Sequence, residues 1–176
     1  SIDTAPFYGF GLSEEMIGEA IKGKDRSKIQ LLTKFGLVWD GSNNGKGEFF
    51  FDAEENGKKI PVYKFASKEN IIKEVEESLK RLGTDYIDLL QLHWPDSTTP
   101  INETMEALEL LIKQGKIRTA GVSNYSVQQM EKANKALRTL IIMTILLFGM
   151  FTPVFLSYNG KTSGQSGFIQ HAEPCD

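Results

Sequence analysis

The chain contains 176 residues, of which 40% are hydrophobic and 24% charged, and its formal net charge is -3. These values are typical of an ordinary globular domain that buries one core. Because no basic stretch is long enough to follow a phosphate backbone, nucleic acid is not an expected partner. The one cysteine, Cys175, rules out an internal disulfide and fits a reducing compartment. No zinc-type Cys/His cluster is present, so we expect no metal site.

Strand-like and helix-like segments alternate along the chain, which is the pattern of parallel βα units. The predicted strands are Ser1–Thr4, Ile29–Phe35, Ile87–Leu92 and Thr119–Val122. The predicted helices begin near Ser13, Ser67, Pro100 and Ser126 and end near Ile21, Gly83, Gly115 and Leu137. The connection Leu37–Ala66 shows no clear period, and a connection that long is usually functional or mobile. The sequence therefore predicts an α/β fold with about four βα units.

Capping signals support these helix boundaries. Ser13 suits the N-cap of the first helix, whose apolar face is predicted to hold Met16, Ile17, Ala20 and Ile21. Ser67 opens the second helix, and Gly83 supplies a left-handed stop. Ser126 with Gln129 three residues later forms a capping box for the fourth helix.

Polar side chains of reactive types follow the apolar strands. In a parallel βα barrel the active site lies at the carboxyl ends of the strands, so these positions are the ones expected to converge. They are Asp3 and Tyr8 after the first strand, Lys34 at the end of the second, His93 after the third, and Ser123 and Asn124 after the fourth. The sequence predicts a site at this edge of the sheet.

Four segments at the same strand ends resemble consecutive motifs of the aldo-keto reductases. They are Ile-Asp-Thr-Ala-Pro-Phe-Tyr-Gly from residue 2, Leu-Thr-Lys-Phe-Gly from 32, Leu-Leu-Gln-Leu-His-Trp-Pro-Asp from 89 and Gly-Val-Ser-Asn-Tyr from 121. The resemblance covers residues 1 to about 137. It implies part of a TIM (β/α)₈ barrel and a cytoplasmic enzyme that reduces a small aldehyde or ketone to an alcohol with NADPH. The oligomeric state stays open.

The resemblance also implies roles for individual residues. Asp3, Tyr8, Lys34 and His93 would form a catalytic tetrad, with Tyr8 as the proton donor. Tyr8, His93 and Trp94 would contact the substrate, whereas Asp3, Ser123 and Asn124 would lie at the NADP cofactor. General chemistry agrees, because a phenol with a pKa near 10 needs a nearby cation to become a useful acid. Lys34 supplies that cation, and Asp3 keeps it protonated.

Structural explanations stand beside these roles. Asp3 would then satisfy loop amides, Tyr8 would be a packed loop aromatic, and Lys34 a solvated strand end. His93 would be a core imidazole, and Ser123 and Asn124 ordinary turn or cap residues. Trp94 either lines the pocket or packs beside Pro95. Similarly, Phe49, Phe50 and Phe51 either line an apolar site or pack the long connection down, and we favour packing.

Beyond residue 137 the composition of the sequence changes. We expect residues 1–137 to form the partial barrel and residues 138–176 to be a tail outside the family, from a frame change, a gene-end artefact or a fusion. Residues 139–157 carry no charge and would extend ~28 Å as a helix, so a membrane helix is a less favoured alternative. The rest of the tail is predicted to be loop or disorder.

The family pattern is expected to be incomplete in this chain. The start at Ser1, inside a strand-like run without a signal peptide pattern, is expected to be cut. No recognisable group would bind the 2′-phosphate of NADP, so the chain by itself is expected to bind NADPH weakly. The alternatives to an active enzyme are an inactive fragment and a non-catalytic protein of the channel β-subunit type.

Overall fold

The main sheet is predominantly parallel. A computed structural model describes residues 1–136, together with the backbone of residues 143–148 and 150–154. The strands of the main sheet are β1 (Ile2–Asp3), β2 (Leu31–Phe35), β6 (Ile87–Leu92), β7 (Ile117–Val122), β8 (Met143–Phe148) and β9 (Met150–Val154). They lie in the order β1-β2-β6-β7-β8-β9. The three strands between β2 and β6 along the chain belong to a second sheet. Pairing is parallel from β1 through β8.

The predicted α/β fold class is confirmed. Within the described residues the helices are α1 (Leu12–Ile21), α2 (Lys68–Leu82), α3 (Ile101–Lys113) and α4 (Val127–Ala136). Each of the first three helices packs against the next one along the chain. The hydrophobic core lies between this helical layer and the sheet, and its fully buried members include Leu31, Ile71, Leu90 and Leu108. All four predicted strands are present, with ends shifted by a few residues.

Most predicted caps are confirmed. The Ser67 hydroxyl accepts a hydrogen bond from the Asn70 amide at 3.3 Å, and Gly83 ends α2 with a φ of 61°. At α4 the reciprocal bonds between Ser126 and Gln129 measure 2.8 and 3.3 Å. These local interactions satisfy backbone groups that a helix end leaves unpaired.

The predicted start of α1 is wrong, and its predicted apolar face is correct only at Ile17 and Ile21, which pack on the core. The helix begins at Leu12 after Gly11, which has a φ of 102°, and the Ser13 hydroxyl instead bonds to the Thr4 hydroxyl at 2.8 Å. Met16 is 64% exposed. The face that packs on the protein runs through Glu14, Ile17, Gly18 and Ile21 at helical spacing.

A buried charge explains why the hydrophobic pattern misplaced that face. Glu14 is fully buried because its carboxylate accepts from the Thr33 hydroxyl at 2.6 Å and from Arg81 Nε at 2.8 Å. Gly18 allows α1 to approach α2, since a Cβ there would lie 2.3 Å from the Arg81 carbonyl oxygen. The contact face therefore contains a carboxylate and a glycine, which carry no hydrophobic signal.

The long connection, predicted to lack regular structure, forms a second sheet. Strands β3 (Leu37–Val38), β4 (Glu48–Glu55) and β5 (Lys58–Lys64) pair antiparallel in the order β3-β5-β4. The β4–β5 turn is Asn56-Gly57, with φ values of 52° and 75°, as a tight hairpin requires. Beside the turn Glu55 pairs in register with Lys58, and Glu54 pairs with Lys59. We call β4 and β5 with their turn the hairpin.

Strands occupy part of the charge-free segment that a membrane helix would need. Strand β8 pairs in parallel with β7, and β9 returns antiparallel beside it. In the part of the chain that the structure describes, no helix is both long and apolar enough to cross a membrane. The remainder of the predicted tail, from residue 155, lies outside the described residues, so the expectation of loop or disorder there stays a prediction.

A carboxyl group on α2 holds the chain that leaves β2. Glu74 accepts a hydrogen bond from the Gly36 amide at 2.8 Å and another from the Asn70 side chain. Burial, opposed by these hydrogen bonds, raises the pKa of the Glu74 carboxyl to about 8. Gly36 itself has a φ of 88°, and a Cβ there would lie 2.6 Å from Leu92 Cδ1, so this glycine and its anchor fix where β2 ends.

Stability should therefore fall as the pH rises through the neutral range. Between the unfolded pKa near 4.5 and the folded value of about 8, the native state keeps a proton that the unfolded chain has lost. The free energy of unfolding then decreases by up to ~1.4 kcal/mol per pH unit. Glu74→Gln keeps an acceptor for Gly36 but cannot ionise, so its stability should depend less on pH. Urea unfolding of both chains from pH 5 to 8 measures this, and parallel pH profiles would contradict it.

Candidate active site

A buried ammonium lies at the carboxyl end of β2. Lys34 is only 4% exposed, and its Nζ donates to Asp3 Oδ2 and to the Thr4 carbonyl oxygen, each at 2.9 Å. Parallel pairing of β1 with β2 brings these acceptors to the same sheet edge, since Asp3 is in register with Leu32. A buried cation is tolerated only with such partners, so Asp3 and Thr4 are what allow Lys34 to lie here.

The aromatic ring of Tyr8 lies beside this cation. Lys34 Nζ is 5.1 Å from the Tyr8 ring centroid, and the His93 ring meets the same tyrosine edge-to-face at 5.9 Å between centroids. Tyr8 is 41% exposed, which leaves its side chain accessible from solvent. The structure thus brings Asp3, Tyr8, Lys34 and His93 together, as the sequence predicted.

His93 follows β6 and is fixed through its backbone, whose amide donates to the Phe35 carbonyl at 2.9 Å. Burial, together with the positive charge of Lys34, lowers the pKa of the imidazole to about 4. The ring is therefore neutral at physiological pH, with one nitrogen that donates and one that accepts a hydrogen bond. A neutral imidazole can orient a carbonyl oxygen without adding a second full charge beside Lys34.

Ser123 and Asn124 lie at the end of β7, next to the His93 backbone. Ser123 is 2% exposed, and its amide donates to the Leu92 carbonyl at 2.9 Å. Asn124 adopts a left-handed φ of 60°, and its Nδ2 donates to the His93 carbonyl at 2.8 Å. The Asn124 amide nitrogen therefore links the ends of β6 and β7, while its Oδ1 can still accept a hydrogen bond.

Trp94 packs on the hairpin. Its ring lies 5.1 Å from the Phe50 ring, and Phe50 lies 4.9 Å from Phe51. Phe49 points elsewhere, because it is 53% exposed and contacts Tyr63 at 5.8 Å. Packing of the connection, the favoured interpretation, thus applies to Phe50 and Phe51.

Two features near the site were missed from the sequence. The hairpin had a signal, because Asn56-Gly57 between segments rich in β-branched and aromatic residues is a strong hairpin pattern. Gln91 is in register with Lys34 and only 1% exposed, and its Oε1 has no hydrogen-bond partner among the described residues. A lone glutamine in an apolar strand gave no sign of this unmet acceptor.

The arrangement suits proton transfer to an oxygen atom. The Tyr8 phenol lies beside a buried cation, and the neutral imidazole adds a second hydrogen-bond donor at the same opening. Among residues 1–136 and the described parts of 143–154, no group of acidic, histidine or cysteine side chains is placed to hold a metal ion. Because the Tyr8 phenol and the His93 imidazole are both proton donors, these side chains can supply acid catalysis.

Two named reductases are similar in sequence to this chain. The chain is 48% identical over 132 residues to the aldo-keto reductase YhdN of Bacillus subtilis, covering 74% of this chain and 34% of that protein. It is 43% identical over 126 residues to the NADH-specific methylglyoxal reductase of Escherichia coli, covering 70% of this chain and 36% of the relative. The chain thus spans about a third of the length of these relatives.

The fold likewise resembles that of solved structures. The glycerol dehydrogenase AKR11B4 from Gluconobacter oxydans matches with a TM-score of 0.65 and 41% identity, over 82% of this chain and 40% of that one. The model of the aldo/keto reductase family matches residues 1–155, which reaches past the boundary predicted at residue 137, and that boundary stays a prediction. The chain belongs to the aldo/keto reductase family.

Proposed function

We propose that these residues form the proton-donating half of an NADPH-dependent carbonyl reductase, which converts an aldehyde or ketone to an alcohol with Tyr8 as the acid. The observation that carries the proposal is the buried Lys34 ammonium, 5.1 Å from the Tyr8 ring and paired with Asp3. A small carbonyl compound is the expected substrate and the cytoplasm the expected location. The names of the relatives agree in class, because they include a methylglyoxal reductase and a glycerol dehydrogenase.

The residues after β7 fit a nicotinamide group. A carboxamide offers an NH₂ donor and a carbonyl acceptor, and Asn124 Oδ1 and the Ser123 hydroxyl complement these. Asn124 adopts its left-handed conformation readily, and its bond to the His93 backbone fixes the orientation of its amide group. Asp3 would border the same group. When bound, the nicotinamide supplies the hydride for the reduction.

The side chains of the protein then donate and orient the proton that the substrate oxygen receives. Lys34 stabilises the negative charge that develops on the Tyr8 oxygen as its proton passes to the substrate oxygen. Asp3 holds Lys34 in place. His93, being neutral, donates a hydrogen bond to the same oxygen and orients it toward Tyr8. Trp94 provides an apolar surface for the rest of the substrate.

The alternatives are a non-catalytic protein of the channel β-subunit type and an inactive fragment. A protein that acts only through contacts with a partner has no need to bury an ammonium beside a tyrosine, so the assembled tetrad supports the enzyme. The choice of NADPH comes from the family resemblance, while one relative is named as NADH-specific, so both cofactors belong in the assay.

Tests of activity need a complete barrel because the described sheet does not close. We define the barrel chimaera as the B. subtilis relative with its matched segment replaced by residues 1–136 of this chain. In it Tyr8→Phe should keep cofactor binding but lower reduction by ~10²- to 10⁴-fold, the usual loss of a general acid. Lys34→Met should act through the same step, so the double variant should lose far less than the product of the single losses.

Rates with one aldehyde at saturating NADPH, and again with NADH, measure these effects. Tyr63→Phe and Lys59→Met are matched controls, since they remove a phenol and an exposed ammonium from the hairpin, and both should keep the parental rate. A Tyr8→Phe barrel that retains most of its turnover, or strictly multiplicative losses, would mean that the proton comes from another group. His93 would then be the next candidate.

The titration of His93 gives an independent prediction. Its imidazole should titrate near pH 4 in the barrel chimaera, because burial and Lys34 both disfavour the charged ring. Lys34→Met should raise this pKa, but not to the ordinary value of 6.5, since burial is the larger cause. NMR titration of the imidazole C2 proton, assigned with His93→Gln, measures both values. A His93 that titrates near 6.5 would contradict the burial seen here.

A further inference from the structure

The strand β4 carries a bulge that turns two neighbouring rings to the same side. Phe49 is in register with Tyr63 and Phe51 with Val62, so the pairing shifts between Phe49 and Phe51. Exposure follows the shift, since Phe49 and Asp52 are exposed while Phe50 and Phe51 are both half-buried. A regular strand would place adjacent side chains on opposite faces. A bulge is the standard way for a strand to re-aim a side chain.

These two rings join the residues beside Tyr8 and His93. Phe51 meets Phe7 edge-to-face at 5.7 Å between centroids, and Phe50 meets Trp94 at 5.1 Å. Since Phe50 and Phe51 also contact each other at 4.9 Å, the rings form an unbroken path from Phe7 to Trp94. Phe7 directly precedes Tyr8, and Trp94 directly follows His93.

The turn that carries Tyr8 depends on such packing. Gly9, Phe10 and Gly11 all have positive φ values, of 63°, 53° and 102°. For a bulky residue such as Phe10 this conformation costs on the order of 1–3 kcal/mol and persists only when the surroundings hold it. Here the rings of Phe7 and Trp39 pack on Phe10 at 5.5 and 5.8 Å.

The other end of the path is tied to the chain that follows His93. Glu48, at the start of β4, accepts from Lys64 Nζ at 2.5 Å and from the Ser97 hydroxyl at 2.6 Å. Lys64 Nζ also lies 5.1 Å from the Phe50 ring centroid. The base of the hairpin is therefore fixed relative to the segment between β6 and α3, and the bulge sits at that fixed base.

We propose that Phe50 and Phe51 are positioning residues, which set the separation between Tyr8 and His93 by filling the space between Phe7 and Trp94. This inference rests on the proposed carbonyl reduction. Tyr8 and His93 must reach one substrate oxygen at the same time, so a change in their separation lowers turnover. The bulge matters because it brings two adjacent rings to one side and lets them span the gap together.

The test compares three variants of the barrel chimaera. Phe51→Ala removes the contact to Phe7, Phe51→Leu keeps most of the side-chain volume, and Phe49→Ala removes an identical side chain that points away from the site. With acetaldehyde, which is too small to depend on a distant pocket wall, Phe51→Ala should lower kcat by ~10- to 100-fold, the scale of a misplaced catalytic group. Its KM should change much less. Phe51→Leu should recover most of the loss, and Phe49→Ala should match the parent.

A second measurement does not require turnover. The Tyr8 and His93 rings, 5.9 Å apart between centroids, should give a nuclear Overhauser effect in selectively labelled parent and Phe49→Ala proteins. Phe51→Ala should weaken or abolish it. An unchanged effect, or an unchanged kcat for acetaldehyde with a raised KM only for bulky aldehydes, would show that these rings line a pocket and position nothing.

The two proposals fail in different ways. If Tyr8→Phe keeps its rate while Phe51→Ala loses it, the proton donor is misassigned but the positioning role holds. If the parent barrel shows no turnover, the proposed function fails, and the ring-to-ring signal alone decides whether Phe51 sets the separation.

Discussion

The buried ammonium of Lys34 is the constraint on which the site depends. A charge that is 4% exposed must find partners within the protein, and it finds the Asp3 carboxylate and the Thr4 carbonyl on the neighbouring strand. That requirement fixes the register of β1 on β2 at the edge where Tyr8 follows. Burial is the main cause of the lowered pKa of His93, and the same buried charge adds to it.

The site residues lie together because they follow the carboxyl ends of parallel strands. Separate contacts hold them at fixed distances from one another. Backbone bonds fix His93 to Phe35 and Ser123 to Leu92, and so align β2, β6 and β7 at one level. Tyr8 lies on a turn beyond a short strand, and its backbone bonds go to Ala5 and Ser13, which are close to it along the chain. Ring packing from the hairpin, which lies outside the main sheet, therefore holds the turn that the backbone hydrogen bonds of the main sheet do not reach.

The sequence predicted the strands, most caps and the cluster of site residues, because each has a local signal. Strands β2 and β6 are largely apolar runs, with Lys34 near the end of one and His93 directly after the other, and Ser67 and Gly83 bracket α2. Local signals did not predict the contact face of α1, because a buried carboxylate stands there in place of an apolar residue. This carboxylate, Glu14, is stabilised by its bonds to Thr33 and Arg81. The Phe50–Phe51 bulge was also unpredictable, since only pairing with β5 reveals the shift. The hairpin turn, by contrast, was predictable from Asn56-Gly57, although the prediction did not include it.

The hairpin is stabilised differently along its length. Beside the Asn56-Gly57 turn, acidic residues of β4 face lysines of β5 in the register pairs Glu55–Lys58 and Glu54–Lys59, whereas rings hold the opposite end. Attraction between exposed charges is screened by salt, but ring packing is not. The base also carries the Glu48–Lys64 ion pair, but the Lys64 side chain is largely buried, so salt should act more weakly there than at the exposed turn. The protein thus has a peripheral strand pair whose tip should respond to the ionic medium more strongly than its base beside the site.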